Sequence, residues 1–281
     1  MTPDSRLYTF IDEAREFALY FLEGQRLIQD LALLHNIQRD GFAYFRDVVL
    51  SIQPLIALLK HGEQLGFYID SDDPSFRLKI ETSHHGETRC MLYPENFRQL
   101  SDTMCGLVRL QKLFPNHPPY ESVIEVDGLP LREIVNRVLR DSYQVNCVMM
   151  LSQISDQSVL LHQLPPLRPD EYDYSIDATR ARREQIRESL RGIFEKALHM
   201  HEDIEQAFSE IGFRRLADRP VRFHCSCSHE RMVSNIHPLY QQEGDGLFDP
   251  GQAELEVTCE YCKSRYRVSR QELERTGNSI N

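Results

Sequence analysis

Apolar and polar residues alternate in several short segments of the first 165 residues. A period of two residues indicates a strand with one buried face, and short polar breaks between such segments are typical of turns. The pattern therefore predicts six strands in this part of the chain. They are expected at Leu65–Asp70, Phe76–Glu81, Arg89–Tyr93, Ser122–Val126, Tyr143–Leu151 and Ser158–Leu164.

Two other segments of this region carry helical patterns. In Pro130–Arg140, apolar residues recur at three- and four-residue steps, which places them on one face of a helix. The segment Tyr8–Leu34 fits either a strand followed by a helix or one long helix. Because strands and helices are mixed along one stretch of chain, we expect an α+β fold for the N-terminal domain.

The segment Asp177–Leu216 is dense in charge and helical in period. It follows a proline-rich acidic break, Pro165–Ser175, which is a natural domain boundary. Its basic run from Arg180 to Arg191 is expected to form a solvated helix face. Burial of each of its large apolar side chains is worth about 1.5–3 kcal/mol, so we expect them to lie on the N-terminal sheet. This helical stripe consists of Ile186, Leu190, Ile193, Phe194, Leu198, Ile204, Phe208 and Ile211.

Composition and charge narrow the function classes. The chain has 281 residues and a net charge of −11, so a polyanion such as a nucleic acid would be repelled on average. The opening MTPDSRLYTF lacks a basic start followed by an apolar core, and the apolar segment Val48–Leu59 is too short to cross a bilayer. We therefore expect a cytoplasmic protein with no membrane partner. In that reducing compartment, paired cysteines more often bind metal than form permanent disulfides.

Four of the seven cysteines form two short motifs near the end of the sequence. Cys225 and Cys227 form C-x-C, and after 31 residues Cys259 and Cys262 form C-x-x-C. Residues two apart in an extended strand share a face, so Cys225 and Cys227 can both reach one ion. Four thiolates suit tetrahedral Zn²⁺ and leave no open position for catalysis. These four cysteines are the predicted zinc ligands.

Other candidate groups have plainer interpretations. His224, His229 and His237 lie near the cysteines but are expected at the surface, because four thiolates already complete the shell. The histidines beside carboxylates in SHHGE, Ser83–Glu87, and HMHED, His199–Asp203, are expected to be surface polar clusters. The other three cysteines have apolar neighbours and are expected to be inert core residues. They are Cys90, Cys105 and Cys147.

Oxidation would have a large effect on a four-thiolate centre. Structural zinc contributes about 10–16 kcal/mol to the folding of a small module. A disulfide within one motif closes a tiny loop and constrains the unfolded chain by only about 2 kcal/mol, against nearly 4 kcal/mol for a bridge across the spacer. Oxidation within the motifs would therefore unfold the C-terminal module. Such a centre would switch the C-terminal module between a folded, zinc-bound form and an unfolded, oxidised form.

The cysteine motifs in their context, CSCSHER at Cys225–Arg231 and CEYCKSRY at Cys259–Tyr266, resemble the zinc centre of the redox-regulated 33 kDa bacterial heat-shock chaperone family. Upstream segments occur in the order that this family shows. They are LALLH at Leu31–His35, LIALLK at Leu55–Lys60, DSYQ at Asp141–Gln144 and LLHQLPP at Leu160–Pro166.

The resemblance implies an ATP-independent holdase with no enzymatic activity. It implies that the protein is zinc-bound and idle when reduced, and binds unfolded client proteins when oxidised, as a homodimer. It also implies two disulfides in the oxidised state, Cys225–Cys227 and Cys259–Cys262. We expect a client-binding and dimerisation domain at 1–168, a redox-sensitive helical linker at 169–217 and a zinc redox-switch domain at 218–281. The expected client-binding residues are Ile186, Leu190, Ile193, Phe194 and Leu198.

The main alternative is a zinc-ribbon-like module that binds nucleic acid or protein without redox switching. Against nucleic acid, residues 222–270 hold six Lys and Arg but seven Asp and Glu, so a basic footprint is missing. An enzyme is disfavoured because the chain has no H-E-x-x-H, no G-x-S-x-G and no phosphate-binding glycine loop.

Overall fold

The computed structural model describes residues 3–37, 40–95, 103–165 and 176–278. The chain divides into two compact units, Met1–Phe223 and His224–Asn281. The helical segment that follows the proline-rich break belongs to the first unit, whereas Pro166–Ser175 of that break lies outside the described residues. The functional division into a client-binding domain, a helical linker and a zinc redox-switch domain remains a prediction.

Thirteen strands are present among the described residues. Eleven belong to the first unit and two to the second. In chain order they are β1 Arg6–Asp12, β2 Phe17–Glu23, β3 Gln64–Asp73, β4 Ser75–Ser83, β5 Glu87–Tyr93, β6 Thr103–Phe114, β7 His117–Pro130, β8 Cys147–Leu151, β9 Gln157–Gln163, β10 Phe213–Pro220, β11 Arg222–Phe223, β12 Glu254–Thr258 and β13 Arg265–Ser269.

Seven α-helices accompany them in the same part of the chain. Shorter helical turns lie at Gln53–Leu58 and Gly244–Leu247, and a π-helical turn lies at Leu139–Tyr143. The α-helices are α1 Gln25–Leu34, α2 Asp40–Ile52, α3 Leu131–Val138, α4 Ile176–Lys196, α5 His201–Glu210, α6 His229–Glu243 and α7 Arg270–Asn278. The mixture of helices and sheets confirms the α+β prediction.

The first unit is built on two sheets. A five-stranded antiparallel sheet has the order β10-β1-β2-β9-β8. A six-stranded sheet has the order β11-β5-β4-β3-β6-β7, in which only β11 pairs in parallel. One face of the five-stranded sheet shares a large core with the six-stranded sheet and helices α1, α2 and α3. Representative members of this core are Leu7, Leu22, Phe45, Phe67 and Val135.

The opposite face of the five-stranded sheet is covered by α4 and α5. Their apolar side chains join Tyr8, Phe10, Phe17, Leu19 and Phe21 of the sheet in one buried cluster. The expectation that the helical stripe lies on the N-terminal sheet is therefore confirmed. In this arrangement Ile186, Leu190, Ile193, Phe194, Ile204 and Phe208 are buried, and Leu198 and Ile211 are partly buried.

Three expected element boundaries are wrong. Tyr8–Leu34 forms neither predicted arrangement, because two strands precede α1. The strand expected from Tyr143 begins only at Cys147, since Leu139–Tyr143 continues α3 as a π-helical turn that ends at Gln144, whose φ of 52° is left-handed. The helical pattern does not extend to Leu216, because Gly212, with φ of 83°, ends the helical segment and β10 follows.

One helical stretch of the first unit is long and apolar enough to span a membrane by length and composition alone. It runs from Gly41 to Leu58, and 67% of it is buried in the protein. A buried core helix of a folded domain passes the same test, so this stretch is weak evidence for a membrane span. It is longer than the apolar segment noted in the sequence because α2 continues directly into the helical turn at Gln53–Leu58.

The second unit has a small core of its own. The hairpin of β12 and β13 pairs Thr258 with Arg265 at its tip and Glu254 with Ser269 at its base. Helices α6 and α7 pack with this hairpin around a single cluster of buried apolar residues. The buried members among the described residues are Val233, Ile236, Phe248, Val268 and Leu273.

Candidate metal centre

The C-x-x-C motif occupies the tip of the β12–β13 hairpin. The backbone N–H of Cys259 donates to the carbonyl of Ser264 at 2.9 Å, and the N–H of Lys263 donates to the carbonyl of Cys259 at 2.8 Å. Lys263 has a left-handed φ of 59°, which lets the chain reverse directly after Cys262. These bonds fix the backbone positions from which both thiols project.

The C-x-C motif lies in the extended segment just before α6. Ser228 is the N-cap of that helix, and its hydroxyl accepts the backbone N–H of Arg231 at 3.3 Å. The guanidinium of Arg231 donates in turn to the carbonyl of Ser226 at 2.8 Å. The start of α6 therefore holds the segment that carries Cys225 and Cys227.

The structure brings all four predicted cysteines together. Their sulfur atoms all lie within 4.8 Å of one another. The Sγ atoms of Cys225 and Cys259 are 3.8 Å apart, and those of Cys227 and Cys262 are 3.2 Å apart. A tetrahedral zinc ion with Zn–S distances of about 2.3 Å separates its sulfurs by about 3.8 Å. The cluster therefore fits one tetrahedral metal ion.

The environments of these thiols differ. Burial raises the pKa of Cys227 to about 12 and also raises the pKa of Cys259. Burial acts in the same direction on Cys262, but hydrogen bonds with the side chain and backbone of Ser264 and with the side chains of Cys227 and Cys259 together outweigh it. They lower the pKa of Cys262 to about 7. Cys262 is thus the first of these three thiols to ionise. The thiolate is the form that binds a metal or attacks an oxidant.

Two polar neighbours of the sulfurs were not predicted from the sequence. The Oη of Tyr266 lies 2.9 Å from the Sγ of Cys227, and this hydrogen bond raises the pKa of Tyr266 to about 12. The Oγ of Ser264 lies 3.2 Å from the Sγ of Cys262. Both residues lie on the C-terminal arm of the hairpin tip. Their proximity in sequence to Cys262 was the available signal, but hydroxyl residues near cysteines are too common to be informative alone.

The nearby histidines only partly match their expected surface positions. His224 is exposed, and His229 is partly exposed, with its Nε2 2.7 Å from the Glu272 carboxylate. His237 is buried among the apolar residues of α6, so its expected surface position is wrong. The reason is its place on the helix, four residues after the buried Val233 and therefore on the same face.

The three remaining cysteines are less uniform than expected. Cys90 is fully buried in the core, as predicted. Cys105 is only partly buried, and its Sγ lies 3.4 Å from the Oδ1 of Asp127. Cys147 is also partly buried, and burial raises its pKa to about 12. Cys147 packs against the core cluster at its edge, whereas core placement is wrong for Cys105.

Together, fold and site define an α+β protein whose small C-terminal unit is organised around a four-cysteine, metal-compatible centre. A family model described as "Hsp33 protein" matches residues 5–269. The chain is 25% identical to the 33 kDa chaperonin of Nitrosococcus oceani over 226 residues, which cover 78% of this chain and 76% of that relative. It is 30% identical to the 33 kDa chaperonin of Hahella chejuensis over 128 residues, covering 43% and 41% of the two chains.

A solved structure has a similar fold. The crystal structure of the 33 kDa chaperonin from Thermotoga maritima matches with a TM-score of 0.74 and 11% identity, covering 99% of this chain and 100% of that one. The chain belongs to the Hsp33 family. The resemblance inferred from the cysteine motifs is confirmed, and the protein is a member of a chaperone family.

Proposed function

We propose that this protein is a redox-regulated, ATP-independent holdase that is idle when reduced and binds unfolding proteins when oxidised. The observation that carries the proposal is the convergence of four thiols within 4.8 Å inside a unit with a small core. Cys225, Cys227, Cys259 and Cys262 would hold Zn²⁺, which supplies a structural cross-link there.

The size of the C-terminal core explains why such a cross-link matters. Five buried apolar side chains contribute about 8–15 kcal/mol of burial free energy before any entropic cost. Structural zinc contributes about 10–16 kcal/mol, which is as much as this whole core. The unit is therefore expected to unfold when the four thiolates are no longer free to hold the ion.

Oxidation by a peroxide would remove those ligands. Each disulfide forms as two thiolates lose two electrons, and one hydrogen peroxide molecule takes those electrons and two protons to become two water molecules. The family resemblance supports the pairs Cys225–Cys227 and Cys259–Cys262. All four cysteines are thiolates in the zinc-bound form, and the thiolate is the species that attacks a peroxide.

We infer that unfolding of the C-terminal unit loosens α4 and α5. The only covalent path between α5 and that unit is β10 followed by the two-residue strand β11. β10 is an edge strand of the five-stranded sheet and pairs only with β1 among the described strands. We expect the two-residue strand β11 to yield first when the attached unit unfolds, and the disturbance to pass along the chain to β10 and α5.

The surface released in this way is the proposed client-binding site. Ile186, Leu190, Ile193 and Phe194 are buried on the sheet, and Leu198 is partly buried. Exposing them together with the sheet face beneath would create a contiguous apolar patch, which suits unfolded proteins or a second copy of this chain. We therefore propose unfolded clients as partners and a homodimer in the oxidised state, in the cytoplasm.

The experiment is to follow zinc release and disulfide formation together in the full-length reduced protein after peroxide is added. We expect one zinc per chain to be released as two disulfides form, and peptide mapping should find them within the two motifs. A Cys105→Ser variant is the matched control, because it removes a partly exposed thiol outside the cluster. Retention of zinc after oxidation, or bridges mainly between the motifs, would contradict the proposal and favour a zinc module without switching.

A further inference from the structure

Three histidines from two separate turns of the first unit come together at one site. His61 lies in the turn before β3, and His84 and His85 form the turn between β4 and β5. One ring nitrogen from each lies within 4.8 Å of the others. The ring centroids of His84 and His85 are 3.6 Å apart, and those of His61 and His84 are 4.7 Å apart.

The backbone holds the two turns in place. The N–H of His84 donates to the carbonyl of Glu63 at 3.1 Å, which joins one turn to the other. Gly62, with φ of 81°, packs so closely on Pro115 that a Cβ at this position would lie 2.7 Å from the Pro115 Cγ. Gly86, with φ of 82°, leaves only 2.2 Å between such a Cβ and the Pro220 carbonyl. The three imidazoles therefore project from a preorganised scaffold.

The nitrogen lone pairs of this cluster are largely uncommitted. Throughout residues 3–37, 40–95, 103–165 and 176–278, the rings of His61 and His85 have no hydrogen-bond or ion-pair partner. The Nδ1 of His84 accepts the backbone N–H of Gly62 at 3.1 Å. His61 and His85 are exposed, so a ligand can approach from solvent.

The groups around His84 affect its charge state. Burial, followed by the proximity of His85 and His61, lowers the pKa of His84. The nearby carboxylate of Glu63 is already engaged by the Nζ of Lys112 at 2.8 Å and the backbone N–H of Lys60 at 2.7 Å. Neutral imidazole is the form that binds a metal.

We propose that His61, His84 and His85 form a second metal site, for a late first-row divalent cation such as Zn²⁺, Ni²⁺ or Cu²⁺. Imidazole nitrogen suits these ions, whereas Mg²⁺ and Ca²⁺ require oxygen ligands. Zinc–nitrogen bonds of about 2.0–2.1 Å require the rings to close slightly from their present separation, which rotation of the exposed His61 and His85 side chains allows. His84 would exchange its amide hydrogen bond for the ion, and water would complete the shell.

One positive charge limits the affinity of the site. The guanidinium of Arg219 donates to the backbone carbonyl of His84 at 2.8 Å and is one of the charges that lower the pKa of His84. The site should therefore bind more weakly than the four-cysteine centre. An Arg219→Gln variant removes the charge and keeps a hydrogen-bond donor, so it should tighten metal binding.

The test is calorimetric titration of Ni²⁺ into the full-length reduced protein with its four-cysteine centre loaded with zinc. We expect one Ni²⁺ per chain, with affinity reduced roughly tenfold or more in His61→Ala and in His85→Ala. His117→Ala changes an exposed histidine of β7 and should bind Ni²⁺ as the unchanged protein does. Binding should also weaken as the pH falls and the imidazoles protonate.

The proposal does not rest on the redox switch, because the titration uses the reduced protein with its four-cysteine centre loaded with zinc. The proposal is overturned if the zinc-loaded protein takes up no Ni²⁺. It is equally overturned if His61→Ala and His85→Ala both bind Ni²⁺ as tightly as the unchanged protein.

Discussion

The helical stripe can be tested by truncating one side chain at its centre, with Leu190→Ala. Leu190 has no solvent exposure and belongs to the cluster that joins α4 and α5 to the five-stranded sheet. If α4 is released on activation, weakening its docking should activate the protein in part without any oxidant. The variant should therefore suppress client aggregation in the reduced state more than the unchanged protein does.

The size of the effect follows from the burial of this residue. Truncating a fully buried leucine to alanine costs about 2–5 kcal/mol, because transfer free energy is lost and a cavity remains. A change of 1.4 kcal/mol is about tenfold in an equilibrium constant, so opening of α4 should become about 30-fold to several thousand-fold more frequent. Hydrogen exchange of the α4 amides, followed by mass spectrometry, measures this acceleration directly.

The control lies two residues earlier on the same helix. The side chain of Glu188 is 71% exposed and pairs only with Arg191 among the described residues, so Glu188→Ala should cost no more than about 0.5 kcal/mol. It should change neither exchange nor client binding. If Leu190→Ala accelerates exchange in α4 but leaves client binding at the reduced level, the stripe is not the client-binding surface. If it leaves exchange in α4 unchanged, the docking argument itself is refuted.

Three further predictions concern the metal centre and the folded first unit. Cys259→Ser should lose zinc from the reduced protein, and metal analysis that finds full retention would contradict the ligand assignment. Tyr266→Phe removes the hydroxyl 2.9 Å from the Cys227 sulfur and should weaken zinc roughly tenfold or more in a chelator competition, whereas unchanged affinity would show that this contact does not support the site. Burial raises the pKa of Glu23 above its ordinary 4.5, so the folded state holds this proton more tightly and loses stability as the pH rises through the folded pKa. Urea unfolding should show that decline above about pH 4.5 in the unchanged protein and a smaller decline in Glu23→Gln; equal slopes would refute it.

The periodic elements were the predictable part of the fold. Most steps of the helical stripe are three or four residues within each helix, and the stripe packs on the sheet as expected. β10 was missed because apolar and polar residues do not alternate in its sequence, FRRLADRP. It is an edge strand that pairs through its backbone, and most of its side chains are partly or fully exposed. β6 was missed because exposed Leu107 on its outer face blurs the alternation.

The candidate sites likewise include contacts that the sequence predicts and contacts that it does not. The four cysteines could be predicted because two paired motifs carry their own geometry, which is independent of the rest of the fold. The contact between Tyr266 and Cys227 depends on how the hairpin tip meets the segment before α6, and no spacing encodes it. The histidine cluster is a stronger example, since His61 and the His84–His85 pair meet only because β3 and β4 are neighbours in the six-stranded sheet.

The central claim is that oxidation converts this protein from an idle to a client-binding form. Light scattering from a thermally unfolding client protein tests it directly, with equal amounts of the zinc-loaded reduced protein or the peroxide-treated protein present. Only the oxidised protein should suppress aggregation, and a thiol reductant should abolish this suppression by reducing the disulfides. Equal suppression by both forms, or none by either, would contradict the claim.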